Sequence, residues 1–226
     1  ARTLAYMFNY TQSVTRLDVS NFNTSNVTSM RALFQRNEKL TSIDVSHFDT
    51  SNTTDLAGMF GYCSKLTSID VSHFDTSKTT NMASMFYRND SLLYLDVSNF
   101  NTSNVTSMRG MFTQKDHLHT RNLTIDVSNW DTSKVTDMSI MFWGARGLTP
   151  PDVSNWDVRN VELFDHFQAN APIKFVGINN WVVTSKCTNL NAMFHSNRNE
   201  VLDVSKYDTS NVTVFAQMFD GASTQE

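Results

Sequence analysis

Seven aspartates that recur at nearly regular spacing are the first residues in the 226-residue chain that suggest chemistry. Each begins an Asp-Val-Ser triplet, at Asp18, Asp44, Asp70, Asp96, Asp126, Asp152 and Asp203. If equivalent strands stack about 4.8 Å apart, neighbouring carboxylates repel each other by roughly 1 kcal/mol in water. Hydrogen bonds from neighbouring Ser hydroxyls or backbone, or a bound cation, would offset that repulsion. Because ligand specificity does not need seven copies of one residue, we predict that this column is structural, a hydrogen-bond ladder from coil to coil.

The residue two positions before each Asp varies, and it suggests binding chemistry. It is Arg16, Ser42, Ser68, Tyr94, Thr124, Pro150 or Val201. Alternation along a strand sends this residue, the Asp and the following Ser to the open face. An exposed aromatic ring is a platform for a sugar ring, and carboxylates accept the hydrogens of its hydroxyls. We therefore predict a glycan- or mucin-contacting site at Tyr94, Asp70 and Asp96, with His73 on the strand margin.

Two alternatives to this ligand site stay open. A single exposed Tyr is common on protein surfaces and needs no functional explanation. The other alternative is a loop edge that carries Tyr62, Tyr87 and Trp143.

The histidines suggest a metal site only weakly. His47 and His73 occupy the same slot in adjacent units, where a zinc pair is conceivable, although the slot otherwise holds Asn. His117 and His119 have no Cys or carboxylate frame of zinc spacing. Phosphate loops, nucleophile elbows and paired-carboxylate motifs are missing from the sequence. We predict no catalytic residues, no metal, no cofactor and no enzymatic activity.

The cysteines and a column of threonines have simpler explanations. Cys63 and Cys187 lie five units apart, or roughly 24 Å at the strand spacing of a sheet, so they are predicted to be free thiols. Cys187 replaces Val in a core slot and is predicted to be buried. Thr50, Thr76 and Thr102 would form a ladder such as an ice-binding face uses, but they lie in a turn beside Asp or Asn.

Composition and charge exclude several classes of protein. The net charge is −4 and 18% of residues are charged, which argues against a basic nucleic-acid-binding face. With 40% hydrophobic residues the chain is not a charge-driven disordered one. No apolar run of 18 residues is present, so we expect no membrane insertion. The start Ala1-Arg2-Thr3 shows no signal peptide, so we expect a mature product or an excised segment.

Most of the chain is a tandem repeat of about 26 residues, with eight Asp-slot units, one of them a worn copy near Gly177. Two aromatic slots recur in it. The first holds Phe22, Phe48, Phe74, Phe100, Trp130, Trp156, Trp181 and Tyr207. The second holds Phe8, Phe34, Phe60, Phe86, Phe112, Phe142, Phe167, Phe194 and Phe219. All eleven Met residues lie in two slots beside the second aromatic, which indicates core packing.

Each unit contains two apolar periodicities. Leu-x-x-Ile-x-Val alternates like a short strand. Val27, Met30 and Leu33-Phe34 recur every three to four residues, as on a short helix or 3₁₀ turn. An Asp/Asn-Thr-Ser turn lies between them. One such coil cannot bury its aromatic residues alone, whereas stacked coils can.

The unit Leu-x-x-Ile-Asp-Val-Ser-x-Phe-Asp-Thr-Ser-x-Val-Thr-x-Met-x-x-Met-Phe resembles the BspA-like bacterial surface repeat, a relative of leucine-rich repeats. The resemblance implies an α/β solenoid: a right-handed stack of about eight 26-residue coils, with a parallel sheet on one side and short helical or 3₁₀ segments on the other. We expect one repeat domain over 1–226. It would comprise a partial N-terminal coil 1–13, regular coils 14–112, an expanded loop 113–122 and less regular coils 123–226.

The same resemblance implies a non-enzymatic adhesin module, as in lactic-acid bacteria, that is either on the bacterial cell surface, at the cell wall, or secreted. Its partner would be a host glycoprotein, a glycan such as mucin or an extracellular matrix protein, and we expect a monomer that binds no nucleic acid. The alternative function is a structural spacer that binds nothing itself. A spacer should repeat the same outward residues in every coil, whereas a binding face should break the pattern in one patch.

Overall fold

The computed structural model of the protein describes residues 2–115 and 123–222, so most of the expanded loop 113–122, with His117 and His119, lies outside the described residues. Consecutive units lie side by side and are joined by parallel backbone bridges. The longest column of bridges has eight steps and runs through the residue that precedes each Met–Phe segment. Its nine members are Thr3, Ser29, Asp55, Asn81, Ser107, Asp137, Leu163, Asn189 and Val214.

The Met–Phe segments, such as residues 30–36, form the most continuous hydrogen-bonded part of the stack. Every second amide donates to the next unit: Met30 N–H bonds Asp55 O at 3.0 Å, Ala32 N–H bonds Ala57 O at 2.8 Å and Phe34 N–H bonds Met59 O at 2.9 Å. This pattern recurs from unit to unit along the chain. Because alternate amides of each Met–Phe segment donate to the next unit, their hydrogen bonds form a continuous ladder along this face of the stack.

In the described residues the Met–Phe segments do not form the expected short helical or 3₁₀ segments. Each segment consists of consecutive turns, in which Leu33 N–H bonds Met30 O at 3.1 Å, while the intervening amides bond the neighbouring unit. Residues with left-handed backbone recur within it, for example Ala32 (φ 51°) and Arg36 (φ 62°). A continuous helix requires right-handed φ at every position and would withdraw these amides from the ladder. Among the described residues the one helix is a 3₁₀ turn at Ile178–Asn180.

The strand prediction for the Asp-Val-Ser segments holds only in part. Two short parallel strands pair there, β1 (Arg16–Leu17) and β2 (Ser42–Ile43), with Arg16 opposite Ser42. Elsewhere in the described ranges these segments meet through isolated bridges: Tyr94–Thr124, Leu123–Leu148, Asp152–Val176 and Val183–Tyr207. One short strand per unit is therefore not formed, because the chain turns away after each Val.

Two columns of aromatic rings fill the core between the two kinds of segment. In the second slot Phe86 stacks on Phe112 with ring centroids 6.2 Å apart, and Phe112 stacks on Phe142 at 5.7 Å. In the first slot Trp130 stacks on Trp156 at 6.2 Å. The columns also touch each other, as at Phe112 and Trp130. The predicted stacking of equivalent rings in successive coils is confirmed.

The assignment of Phe167 to the second aromatic slot is wrong by one residue. The ladder aligns Phe167 with the residue before that slot, because Phe142 N–H bonds its carbonyl. Gln168 takes the slot itself and is fully buried. Its Oε1 accepts a hydrogen bond of 2.7 Å from Asn197 Nδ2, which satisfies the buried amide. Phe175 contacts both Phe142 and Phe167 there.

The threonine column lies inside the stack, so it forms no exposed ice-binding face. Thr50 and Thr76 are buried, and the Oγ1 of each donates at 3.0 Å to the Asp75 or Asn101 carbonyl of the next unit. Both cysteines are free and Cys187 is buried, as predicted, and Cys63 is buried as well. Burial raises the pKa of the Cys63 thiol to about 12, which keeps it protonated.

The worn unit near Gly177 remains part of the stack. Trp181 stacks on Trp156 at 6.1 Å, and its Nε1 donates to Val153 O at 3.2 Å. Gly177 has a φ of 78°, and a Cβ there would lie 2.4 Å from Ser154 Cα. A side chain cannot fit so close to backbone, which explains the Gly that follows Val176, the residue bridged to Asp152.

Candidate functional site

The position two before each Asp faces solvent in every described unit, as the alternation predicts. Tyr94 is 60% exposed, and its neighbour Leu93 is 46% exposed. The other strongly exposed aromatic residues lie in the first unit (Tyr6, Tyr10) or the last (Phe215, Phe219). An end unit lacks one neighbour to cover its rings, so exposure is expected there. Tyr94 lies in an interior unit, where stacking does not explain it.

The backbone holds Tyr94 in a fixed place. Tyr94 forms a parallel bridge with Thr124: Thr124 N–H bonds Leu93 O at 3.2 Å and Leu95 N–H bonds Thr124 O at 3.3 Å. Leu92 and Leu95 on either side of the exposed pair are buried in the core. The Tyr94 ring therefore projects from a positioned segment and not from a free loop.

The carboxylates of the site are held in local turns. Asp70 Oδ1 accepts from Ser72 N–H at 3.1 Å and from Ser72 Oγ at 2.7 Å, and Asp96 does the same with Ser98. The hydroxyl bond first, and then the backbone bond, hold the pKa of Asp70 below its usual value. The prediction that Ser hydroxyls and backbone satisfy this column is confirmed. The expectation of a coil-to-coil ladder is wrong, because each bond stays within one unit.

His73 has a structural partner already. Its Nε2 lies 3.0 Å from Val45 O of the preceding unit, and its ring meets Phe74 edge-on at 5.0 Å. His47 Nε2 contacts Val19 O in the same way at 2.7 Å. Where the first slot holds Trp, the indole takes over this bond, as Trp130 Nε1 does with Val97 O. The two histidines thus supply an N–H that the adjacent Phe lacks, and a zinc pair would have to use their other ring nitrogens.

The four predicted site residues lie in or beside two successive Asp-Val-Ser segments, where His73 interacts electrostatically with Asp70. Within residues 2–115 and 123–222, no hydrogen bond, ion pair or ring contact joins Tyr94 to Asp70, Asp96 or His73. The carboxylates use Oδ1 within their own turns. What the site offers a ligand is an exposed ring flanked by partly free carboxylates.

The loop edge around Tyr62 and Tyr87 contains residues that the sequence analysis did not single out. Arg36 and Arg88 lie 26 residues on either side of Tyr62, with guanidinium carbons 5.4 and 5.7 Å from its ring centroid. The Tyr62 and Tyr87 rings lie 4.9 Å apart. Trp143 is half-buried two units beyond Tyr87. The repeat spacing of 26 from Arg36 to Tyr62 and to Arg88 was the signal that could have found the arginines.

Two further observations concern metals and membranes. No group of three or more His, Cys, Asp or Glu side chains that could hold a metal ion occurs among the described residues. In the same part of the chain no helix is long and apolar enough to cross a membrane.

The stacked units define the chain as a repeat protein. The sequence model of a family described as "Mycoplasma protein of unknown function, DUF285" matches residues 2–121, 89–183 and 162–226, which covers nearly the whole chain. The chain belongs to this family. Three successive matches agree with a BspA-like repeat protein. Searches of the curated proteins and of the solved structures found no match.

Proposed function

We propose that the protein is a non-enzymatic adhesion module on a bacterial cell surface. In this proposal it is a right-handed, leucine-rich-repeat-like solenoid that binds a host or matrix glycoprotein or a glycan such as mucin. The observation that supports binding most is the exposure of Tyr94 in an interior unit. All other described members of its column are small, polar, cationic or aliphatic, so one patch breaks the outward pattern.

The chemistry of that patch suits a sugar. The Tyr94 ring offers an apolar face against which the C–H face of a pyranose packs, and its hydroxyl supplies a polar handle. Asp70 and Asp96 keep their second carboxylate oxygen as an acceptor for sugar hydroxyls, because Oδ1 alone bonds serine. The positioned backbone lowers the entropy cost of binding.

The alternative function is a structural spacer that binds no ligand. The continuous ladder of the Met–Phe segments supports it, because a stiff stack is what a stalk requires. The two functions differ in a single measurement, since a spacer has no affinity for mucin or matrix protein.

The test compares mucin binding by the wild type with binding by the folded variant Tyr94→Ala/Asp96→Asn. A matched control, Tyr10→Ala/Asp44→Asn, removes an equally exposed Tyr in the first unit and an Asp from the same column. We expect the first variant to lose about tenfold in affinity, or about 1.4 kcal/mol, and the control to bind like the wild type. Unchanged binding by the first variant would remove the Tyr94 site. No binding by the wild type to any mucin or matrix protein would favour the spacer.

A further inference from the structure

Arg36, Tyr62, Tyr87 and Arg88, called here the tyrosine–arginine cluster, form a second surface feature away from Tyr94. Arg36, Tyr62 and Arg88 occupy equivalent positions in three consecutive units, each with left-handed backbone (φ 62°, 61° and 58°). Their amides all donate to the next unit, to Gly61, Tyr87 and Thr113 carbonyls respectively. The ladder therefore fixes the points from which the side chains project.

The aromatic rings position the guanidinium groups. Arg36 and Arg88 reach the Tyr62 ring from the units on either side of it. Tyr87 lies beside Tyr62 and over Gly110, where a Cβ would come within 3.2 Å of the Tyr87 ring. Burial and then the neighbouring Tyr62 raise the pKa of Tyr87, in keeping with a packed pair. The backbone positions from which Arg36 and Arg88 project are thus two unit spacings apart, about 10 Å along the stack.

Arg88 shares a side-chain hydrogen bond with Tyr87, but the guanidinium groups keep further hydrogen-bonding capacity within the described residues. Arg36 is exposed and makes no hydrogen bond or ion pair within residues 2–115 and 123–222. The Nε of Arg88 is buried without an acceptor there. By contrast, the Arg31 guanidinium forms an ion pair with Asp55 at 3.5 Å, and its Nε donates a hydrogen bond of 3.1 Å to the Tyr6 hydroxyl.

The surrounding segments are basic although the whole chain carries a net charge of −4. Segments 29–39, 55–65, 81–91 and 107–115 together carry seven basic side chains and three acidic ones. The basic residues are Arg31, Arg36, Lys39, Lys65, Arg88, Arg109 and Lys115, and the acidic ones are Glu38, Asp55 and Asp90. This local excess of positive charge favours an anionic ligand.

We propose that the tyrosine–arginine cluster binds a linear acidic polysaccharide that carries an anionic group on each disaccharide. The spacing of two units matches roughly the length of a disaccharide, so Arg36 and Arg88 would each take one carboxylate or sulfate. Guanidinium groups bind such oxyanions through paired hydrogen bonds. The proposal deepens the adhesion function by adding a ligand class, but it uses a different surface from the Tyr94 patch.

A nucleic acid is the less suitable polyanion. Sequence-tolerant binding of single strands relies on aromatic faces that are open for base stacking. Guanidinium groups from the preceding and the following unit already lie over the Tyr62 ring, and Tyr87 packs on Tyr62 and Gly110.

The experiment measures the affinity of the full chain for chondroitin sulfate and hyaluronan by calorimetry at 50 mM and 300 mM NaCl. Dextran serves as the neutral polymer and an oligo(dT) strand as the nucleic acid. We expect binding to one or both acidic polysaccharides that weakens at the higher salt, and none to dextran. Hyaluronan carries carboxylates alone, so the two polymers distinguish carboxylate from sulfate as the anion.

Arg36→Gln/Arg88→Gln should reduce the affinity at least tenfold. The matched control is Arg159→Gln/Lys174→Gln, which removes two exposed cations that pair with Asp157 and Glu200 elsewhere, and it should bind like the wild type. If the Arg88 substitution prevents folding, Arg36→Gln alone should still cost at least threefold. Tyr94→Ala/Asp96→Asn should retain polysaccharide binding, so failure of the Tyr94 site would not be mistaken for failure of this one.

Three results would overturn the proposal. The first is no binding of the wild type to either acidic polysaccharide at 50 mM NaCl. The second is an equal loss of affinity in the cluster variant and its control, which would indicate non-specific attraction. The third is tighter binding of oligo(dT) than of both polysaccharides, which would make the cluster a nucleic-acid site.

Discussion

The Met–Phe segments and the Asp-Val-Ser segments repeat with the same period, yet they stabilise the stack in different ways. Met–Phe segments bond each unit to the next through alternate amides. The polar side chains of the Asp-Val-Ser segments bond within their own unit. Asp70, for example, accepts hydrogen bonds from Ser72, two residues away. A strictly repeated motif therefore need not be the part that joins the repeats. Because the Asp-Val-Ser segments bond locally, their outward side chains can vary without breaking bonds between units. Tyr94 is one of these side chains.

The largest contrast concerns a central ring and an end ring of the same aromatic column. Phe112→Ala should cost about 3 to 5 kcal/mol of unfolding free energy, because Phe112 is buried against Phe86, Phe142 and Trp130. Phe219→Ala should cost clearly less, since Phe219 is 45% exposed and stacks on Phe194 from one side. Denaturant unfolding measures both, and equal losses would contradict a nearest-neighbour stack.

Adding a side chain at Gly177 in the worn unit should weaken the protein. Gly177→Asp should cost about 2 to 3 kcal/mol, because the left-handed backbone and the approach of Ser154 leave no room for a side chain. Asp152→Gly, at the residue bridged to Val176, is the control and should cost less. Thermal unfolding of the two variants checks this, and a stabilised Gly177→Asp would refute the close contact.

The repeat frame could be predicted from the sequence, and the backbone of the Met–Phe segments could not. Equal spacing of aromatic and Met slots was enough to predict stacked coils with two ring columns. Left-handed backbone at Ala32 or Ile140 gives no sequence signal, because neither residue favours it, so the three-to-four-residue period suggested a helix. The slot assignment of Phe167 was wrong for a related reason. The repeat pattern was matched to an aromatic residue, whereas the buried slot one residue later holds Gln168.

The candidate site also has features that the sequence predicts and features that it does not. Tyr94 was predictable, because it breaks an otherwise small or polar column on the outward face of an alternating strand. The hydrogen bond of His73 to Val45 was not, since it depends on the absence of an indole N–H from the neighbouring Phe74. Arg36 and Arg88 were missed because a position filled by different residue types in successive units gives no consensus.

Acid should loosen the Asp-Val-Ser segments first. Hydrogen bonds from serine lower the pKa values of Asp18, Asp70 and Asp126 in the folded state. A carboxyl whose folded pKa is depressed stabilises the fold above its unfolded pKa near 3.9, and this stability is lost as pH falls through the folded value. The melting temperature should therefore fall by a few degrees between pH 5 and pH 2.5. The triple variant Ser20→Ala/Ser72→Ala/Ser128→Ala should show a shallower fall, and an identical pH profile would exclude these turns as the cause.

The smallest effect is expected at a buried hydroxyl of the core. Thr79 is fully buried and its Oγ1 donates to Thr53 O at 3.1 Å. Val occupies the equivalent slot at Val105 and Val135, so a Val side chain fits this part of the core. Thr79→Val should change the unfolding free energy by less than about 1 kcal/mol. A larger loss in chemical denaturation would mean that the side-chain ladder, and not only the backbone one, holds the units together.

Native-state hydrogen exchange resolved by residue tests most directly whether the Met–Phe segments hold the stack together. The amides of Phe60, Met82 and Phe86, which bond the next unit, should exchange only on large-scale unfolding. The amides of Ser72, Ser98 and Ser128, which bond the Asp two residues before them in their own unit, should exchange orders of magnitude faster. Equal protection of the two sets of amides, or stronger protection of the serine amides, would contradict the claim that the Met–Phe segments hold the units together.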